Sequence, residues 1–313
     1  MKIRGDVAQQ IGCSEFSVAP QVGVDGRRYT WSIGIRVGSS LHRLHSPADT
    51  NPVLSAHDIS DVPAAFVADP FMLRKDGLWY MFFEIFNTSS RRGEIGLATS
   101  PDGFRWRYCE VVLQEPFHLS YPHVFCWNGE YYLTPETEEA GAVCLYKASA
   151  FPRGWEFCAT LIEQLLVDPS IFRLAGRWWM FACPRKTQVK DGSVALFCAD
   201  ELRGPWTSHP QNPIIHGNQD IARPAGRVFI KDGEVVRFAQ DKHNPQGNHV
   251  RAFRVVELTA SSYRETEIAG GPILGPGENG WNRSGMHHID LHDIGEGQLI
   301  ACVDGVIREP VAT

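Results

Sequence analysis

The sequence predicts an all-β fold: a five-bladed β-propeller of four-stranded blades, its ring closed by a strand near the N-terminus. Three observations lead there. An apolar run opens at Asp69-Pro70, reverses at Lys75-Asp76-Gly77 and returns through Trp79-Tyr80-Met81-Phe82-Phe83 to Glu84, which reads as a β-hairpin. That hairpin recurs about every 50 residues, as in a radial repeat whose units bury their faces only against neighbours. Each copy is followed by a second pair of strand-like runs, and no stretch carries sustained helical periodicity.

Residues 1–27 are weakly patterned and receive no function. Trp31-Ser32-Ile33-Gly34-Ile35-Arg36-Val37 alternates apolar with small or polar residues. Standing apart from the later repeats, strand 30–38 is expected to pair with the last blade and so remove an exposed sheet edge. The blades are expected at roughly 62–112, 113–162, 163–212, 213–267 and 268–313, within a single domain of 313 residues.

The second hairpin opens at Tyr121-Pro122-His123, turns at Asn128-Gly129 and returns to Pro135-Glu136. The third opens at Asp168-Pro169, turns at Ala175-Gly176 and returns through Trp178-Trp179-Met180-Phe181. The fourth opens at Arg223-Pro224, runs two residues longer to Asp232-Gly233 and returns through Phe238 toward Gln240-Asp241. The fifth opens at Gly285-Met286-His287-His288 and closes along Gln298-Leu299-Ile300-Ala301-Cys302-Val303. Trp106, Trp155 and Trp206 echo one another after the second strand pairs, and such a repeated indole is expected to pack between blades.

Composition narrows the function. A net charge of −6 without a basic block excludes nucleic acid as a partner. No apolar run is long enough for a spanning helix, and Met1-Lys2-Ile3-Arg4-Gly5-Asp6 lacks the apolar core of a signal peptide. A cytoplasmic protein without a membrane partner is therefore expected. The eight cysteines show no metal-finger spacing and read as reduced core or sheet residues.

In a propeller the innermost strands converge on an axial funnel, so the hairpin openings are the first place to look for chemistry. Around the ring they are Asp69, Tyr121 with His123, Asp168, Arg223, and His287 with His288. Ionisable residues at matching places in successive blades build an axial polar site. The alternative is that Asp69 and Asp168 only satisfy backbone amides at the turn before proline. Glu84, Glu136, Gln240 and Asp241 end return strands in the same geometry.

The Asp-Pro openings of the first and third blades resemble the five-bladed glycosidase superfamily that contains glycoside hydrolase family 43 and the fructan-active families. That resemblance implies Asp69 as general base or nucleophile and Asp168 as the carboxylate that tunes the acid or stabilises the transition state. It also aligns His287-His288 with a fifth-blade histidine facing a central calcium site. No cofactor is otherwise expected, and the axial residues offer few carboxylates for calcium. Phe66-Val67-Ala68-Asp69-Pro70-Phe71, His118-Leu119-Ser120-Tyr121-Pro122, Pro135-Glu136-Thr137, Ala222-Arg223-Pro224-Ala225-Gly226 and Ala239-Gln240-Asp241 are more closely similar to one group. It comprises the N-terminal domain of plant glucosamine inositolphosphorylceramide transferases and its bacterial relatives. A propeller in a carbohydrate context is what this implies.

The departure lies in the fourth blade, where the superfamily's acid glutamate would stand and this chain has Arg223. Arginine donates no proton at neutral pH, so the acid falls to Glu136 or Glu84, unless both simply pair with nearby Arg or Lys. Arg223 either neutralises Asp69 or Asp168, or binds a phosphate or carboxylate in bidentate fashion. The expected function is glycosyl cleavage or transfer with Asp69 as base, Asp168 as partner and Glu136 as acid. Glu84, Tyr121, His123, Arg223, Gln240, Asp241, His287 and His288 would contact a carbohydrate or sugar phosphate. Two alternatives stay open: a transferase or phosphorylase using Arg223 on an anionic donor, and a non-catalytic glycan-binding propeller.

Overall fold

The structure, a computed structural model, describes residues 26–47, 51–185, 192–242, 244 and 246–311. The readings made for the first 25 residues, Cys13 among them, lie outside the described residues. Five antiparallel sheets form in chain order, as the repeat requires. After β1 (Arg27–Gly38), the first blade holds β2 (Ala64–Lys75), β3 (Leu78–Asn87), β4 (Arg92–Ser100) and β5 (Arg107–Leu113). The second holds β6 (Ser120–Trp127), β7 (Glu130–Glu136), β8 (Val143–Ala150) and β9 (Arg153–Ile162). The third holds β10 (Leu166–Leu174), β11 (Arg177–Pro184), β12 (Ala195–Ala199) and β13 (Thr207–Ser208). The fourth holds β14 (Phe229–Lys231), β15 (Glu234–Asp241), β16 (His249–Leu258) and β17 (Tyr263–Glu267). The fifth is built from β18 (Ile289–Gly295) and β19 (Gln298–Pro310), with β1 paired to β19 from Arg27↔Pro310 to Gly38↔Leu299.

The N-terminal strand thus closes the ring, as its isolation in the sequence predicts. The fourth position of that blade differs from the other four. It is met by two bridges, Ile33↔Leu54 and Val37↔His45, where the others carry a regular strand.

Five tight turns set the hairpin registers. Asp76-Gly77, Asn128-Gly129, Ala175-Gly176, Asp232-Gly233 and Glu296-Gly297 all have positive φ at both residues, the type I′ geometry whose twist matches the flanking strands. The core lies between blades. Phe71, Phe82 and Leu97 of the first blade pack with Tyr121, Val124, Tyr146 and Trp155 of the second. Trp155 meets Phe82 edge-on with ring centroids 5.4 Å apart, which is the inter-blade packing expected of it. Trp155, Trp106 and Trp206 each donate the indole N–H to their own preceding turn, at the carbonyls of Pro152, Gly103 and Leu202. Seven cysteines form no disulfide among the described residues; Cys144, Cys198 and Cys302 are buried, whereas Cys126 is exposed on its sheet. No helix of the described residues is long and apolar enough to cross a membrane.

Candidate active site at the ring axis

The site begins with a backbone irregularity repeated three times. Pairing shifts by one residue between Ala68 and Phe71, between Ser120 and His123, and between Val167 and Ser170. Asp69-Pro70, Tyr121-Pro122 and Asp168-Pro169 are therefore two-residue bulges, each opposite a single residue of the return strand. Proline has no N–H to offer the ladder, so a bulge is where it fits. The preceding residue takes a left-handed conformation, with φ of 51° at Asp69, 48° at Tyr121 and 52° at Asp168. A non-glycine residue there costs about 1–3 kcal/mol and persists only where its surroundings over-determine it.

Hydrogen bonds from the neighbouring blade supply that constraint. The Asp168 N–H donates to Glu136 Oε2 and the Asp69 N–H donates to Asp304 Oδ2, each at 3.2 Å. Asp304 Oδ1 also accepts the N–H groups of His287 and His288, both at 3.1 Å, and the His287 Nδ1–H at 2.8 Å. Burial alone would push the Asp304 carboxyl up, but His287 outweighs it and holds it below its ordinary value.

Around Asp168 the charges interlock. Arg223 grips the carboxylate in bidentate fashion through Nε and Nη2, and lies 3.7 Å from Glu136 Oε2. The Gln240 amide donates to Asp168 Oδ2 at 2.8 Å and to the Pro224 carbonyl at 2.7 Å. Burial favours the neutral acid at Asp168, yet Arg223 wins and holds it ionised at about 2. Glu136 goes the other way: burial first, then the negative charge of Asp168, raise it well above its ordinary value. Glu84 is raised in the same direction by burial and by the charges of Asp69, Glu136, Asp304 and Asp168. Its nearest ionisable partner is His118, whose Nε2 lies 3.4 Å from Oε1. Burial drives His118 toward its neutral form. Both glutamates are thus pushed toward the protonated form, Glu136 beside the ionised Asp168.

Asp69 is 7% exposed, and its Oδ1 has no hydrogen-bond partner among the described residues. Burial raises its pKa first, with His287 and His288 acting against the rise. His287 Nε2 and His288 Nδ1 lie 3.7 and 3.6 Å from that oxygen. Lys242 and the open edge of Arg223 stand at the wet end of the same cluster. Lys242 is solvent-accessible yet walled by protein, and this partial desolvation brings its ammonium down to about 8.

The structure gathers Asp69, Asp168, Glu136, Glu84, Arg223, Gln240 and His287 at the axis, and corrects the placement of the others. Tyr121 is fully buried, its hydroxyl taken by Ser170 and by both backbone groups of Gly226, so it braces the ring and offers nothing to a ligand. His123 is buried against Phe71, ring centroids 4.9 Å apart, with Nε2 on Arg227 at 3.1 Å. His288 is buried too; its ring meets the site at Asp69 Oδ1, 3.6 Å away, and its backbone N–H at Asp304. Asp241 falls on the opposite face of β15 from Gln240 by strand alternation, and lies 3.7 Å from Arg251. The fork of Arg223 that was expected to grip an anion is occupied by Asp168, the neutralising alternative. Glu84 pairs with no Arg or Lys among the described residues.

Sequence reading missed Asp304, Asp290, Arg227 and Lys242. Asp304 had a signal. Glu84, Glu136, Gln240 and Asp304 each stand seven residues beyond the turn glycines Gly77, Gly129, Gly233 and Gly297. Deeper in the channel, Arg227 donates to both oxygens of Asp290 and to the carbonyls of Met72 and Val124, tying four blades together. Nothing local marks that pair, since its members lie in different repeats.

Among the described residues one group of potential metal ligands stands out: Asp69, His287 and Asp304 have ligand atoms within 4.8 Å of one another. Two carboxylates and an imidazole suit calcium poorly, since that ion takes six to eight oxygen ligands. The axial calcium implied by the resemblance does not fit this donor set.

Fold and site together define a five-bladed propeller with an acidic axial cluster built on strained Asp-Pro bulges. The chain belongs to the family described as glucosamine inositolphosphorylceramide transferase 1, N-terminal, which it matches over residues 28–306. It is 35% identical over 297 residues to glucosamine inositolphosphorylceramide transferase 1 of Oryza sativa subsp. japonica, covering 88% of this chain and 40% of that protein. The chain therefore spans about two fifths of the length of the curated relatives it matches. Among solved structures, the β-1,2-mannobiose phosphorylase of Listeria innocua superposes with a TM-score of 0.61 at 12% identity, over 86% of this chain and 96% of that one. A thermostable family-43 glycoside hydrolase gives 0.57 at 15% identity, over 80% and 91%. These two likenesses establish the fold.

Proposed function

We propose that this chain is a carbohydrate-active enzyme domain that binds a glycosyl unit at the ring axis and cleaves or transfers it. The observation that carries this reading is the coexistence of a buried carboxyl without a hydrogen-bond partner, Asp69 on its bulge, and a second, Glu136, pushed toward its protonated form beside the Asp168 bulge. Asp69 takes a proton from the attacking hydroxyl as oxygen bonds to the anomeric carbon. Glu136 gives its proton to the departing oxygen, and ionised Asp168 stabilises the positive charge that builds on the sugar ring. Raised values suit both roles: a base nearer neutrality takes protons more strongly, and a neutral Glu136 has one to give.

The relatives' name contains both an amino sugar and an inositol phosphate, which makes glucosamine-bearing and inositol-phosphate-bearing glycosides the substrates to try first. The test is turnover on a panel of these, with aryl furanosides and pyranosides, comparing wild type with Asp69→Asn. Release that disappears in the variant supports the reading. Release that Asp69→Asn leaves intact overturns it. Saturable sugar binding without turnover on any substrate makes the domain a glycan-binding one.

A second reading is favoured by Lys242 beside Arg223 at the open end of the cluster, where two cations suit a phosphoryl group. It predicts release that requires phosphate, or binding of sugar phosphates over neutral sugars, with the preference abolished in Lys242→Ala.

A further inference from the structure

Glu84 is an axial carboxyl to which neither reading above gives a task. It stands opposite Ala68 in the β2–β3 ladder, next to the Asp69-Pro70 bulge. A fixed frame surrounds it. The Gly93 N–H donates to His118 Nδ1 at 2.9 Å, so the neutral ring carries its hydrogen on Nε2, which faces Glu84 Oε1 at 3.4 Å. Glu139 Oε2 accepts the backbone N–H of His118 at 2.8 Å, which fixes the segment that carries the ring. A Cβ on Gly93 would lie 2.1 Å from the Leu119 carbonyl oxygen and 2.9 Å from Glu84 Oε1, so only glycine leaves this corner its shape.

The charge around this corner is one-sided. The four strongest charged neighbours of Glu84 are Asp69, Glu136, Asp304 and Asp168, all carboxyls. The cations Arg223 and Lys242 stand at the other end, against Asp168. Acceptors are in surplus too. Asp69 Oδ1 and Gln240 Oε1 have no hydrogen-bond partner among the described residues, in side chains of residues only 7% and 1% exposed. Gln240 has already spent its amide on Asp168 and Pro224. A ligand that fits this corner brings donors and positive charge, and an ammonium offers three N–H groups on one compact cation. We propose that Glu84 receives the charged amine of an amino sugar and so sets the site's preference for that class of substrate. The inference deepens the glycosyl reading and rests on it: with Asp69 serving the anomeric carbon, the amine sits on the neighbouring ring carbon. Asp69 adds a second negative charge to the attraction and keeps Oδ1 for the attacking hydroxyl. Burial and the surrounding carboxyls press Glu84 toward its protonated form in the free protein. An arriving ammonium reverses that, because an opposite charge at contact favours the anion. Glu84 therefore gives its proton to water as the amine binds.

Binding reads this apart from turnover. The full chain is titrated calorimetrically with methyl glucosaminide, methyl N-acetylglucosaminide and methyl glucoside near pH 6, where the amine is charged. The glucosaminide should bind about tenfold tighter than the other two, or more, the scale of a desolvated charge pair. Repeating the titrations in buffers of different ionisation enthalpy should show a proton released with the amine alone. Glu84→Gln, which matches the protonated acid in shape, should bring the three affinities together and abolish the release. Glu84→Asp keeps a carboxyl on a shorter arm, and should retain the release and part of the preference. Circular dichroism and melting confirm that both variants are folded. Equal affinities in the wild type, or a preference that survives Glu84→Gln, overturn the assignment and leave the glycosyl reading standing. No saturable binding of any of the three overturns it as well, while turnover on the substrate panel decides the glycosyl reading separately.

Discussion

Glu136 holds Asp168 by its backbone: the Asp168 N–H donates to Glu136 Oε2 at 3.2 Å, across the gap between the second and third blades. Asp304 does the same for Asp69 between the fifth blade and the first. Each strained aspartate is fixed by a carboxylate from the preceding blade, so the ring itself sets the position of both. The two holders are pushed in opposite directions. His287 outweighs burial and pulls Asp304 below its ordinary value, whereas burial and Asp168 push Glu136 well above its own. One repeated geometry is thus divided into a half that favours the anion and an acidic half that favours the proton.

Asp168→Asn should destabilise the protein by about 2 kcal/mol at neutral pH, the usual cost of removing a charge-assisted hydrogen bond from a partly buried pair. Arg223 would be left with Glu136 at 3.7 Å, and its partial exposure softens the loss. Because the carboxyl is depressed to about 2 from 3.8, its stabilising contribution is full above the ordinary value and fades as pH falls through the lower one. Urea unfolding at pH 7 and near pH 2.5 checks both statements: the gap between wild type and variant should narrow in acid.

Ala175 stands at a turn position where the other four hairpins carry Asp76, Asn128, Asp232 and Glu296. Its φ is 48°, which an alanine adopts with no side-chain hydrogen bond in return. Ala175→Gly, or Ala175→Asn, should raise stability by about 1 kcal/mol without touching the axial site. Thermal melts of both variants measure it, and an unchanged or lower midpoint would contradict the type I′ geometry of the third hairpin.

How much of this was legible follows from what each feature depends on. Turn pairs such as Asp76-Gly77 and Asn128-Gly129 are local chemistry, so blade register could be read directly. Ring closure by Trp31–Val37 followed from an unpartnered alternating run. Depth in the funnel was not legible, because Tyr121 and Asp168 occupy the same bulge position in their repeats. A phenol long enough to cross the axis needs a partner for its hydroxyl, and it finds the backbone of Gly226, a glycine where a Cβ would sit 1.8 Å from the Ile289 carbonyl. Aspartate is too short to cross and stays at the site. Asp304 was readable by counting seven from Gly297, whereas Arg227 with Asp290 joins two repeats and leaves no mark on either.

Glu136→Gln tests the acidic half. Glutamine matches a protonated glutamate in shape, and its carbonyl oxygen can still accept the Asp168 N–H. In the wild type the folded value lies well above 4.5, so protonated Glu136 contributes its full stability below that ordinary value. The contribution is lost as pH rises through the folded value, because ionisation sets a second buried charge beside Asp168. Wild type and variant should therefore melt alike near pH 4, and the variant should gain on the wild type steadily toward alkaline pH. Turnover should move the other way, falling by about 10²–10⁴-fold at every pH because the proton donor is gone. Melting curves across pH 4–9, paired with rates on the best substrate, give both readouts. Parallel pH profiles for the two proteins would mean that Glu136 ionises like any surface glutamate, and the acid would then have to be sought at Glu84.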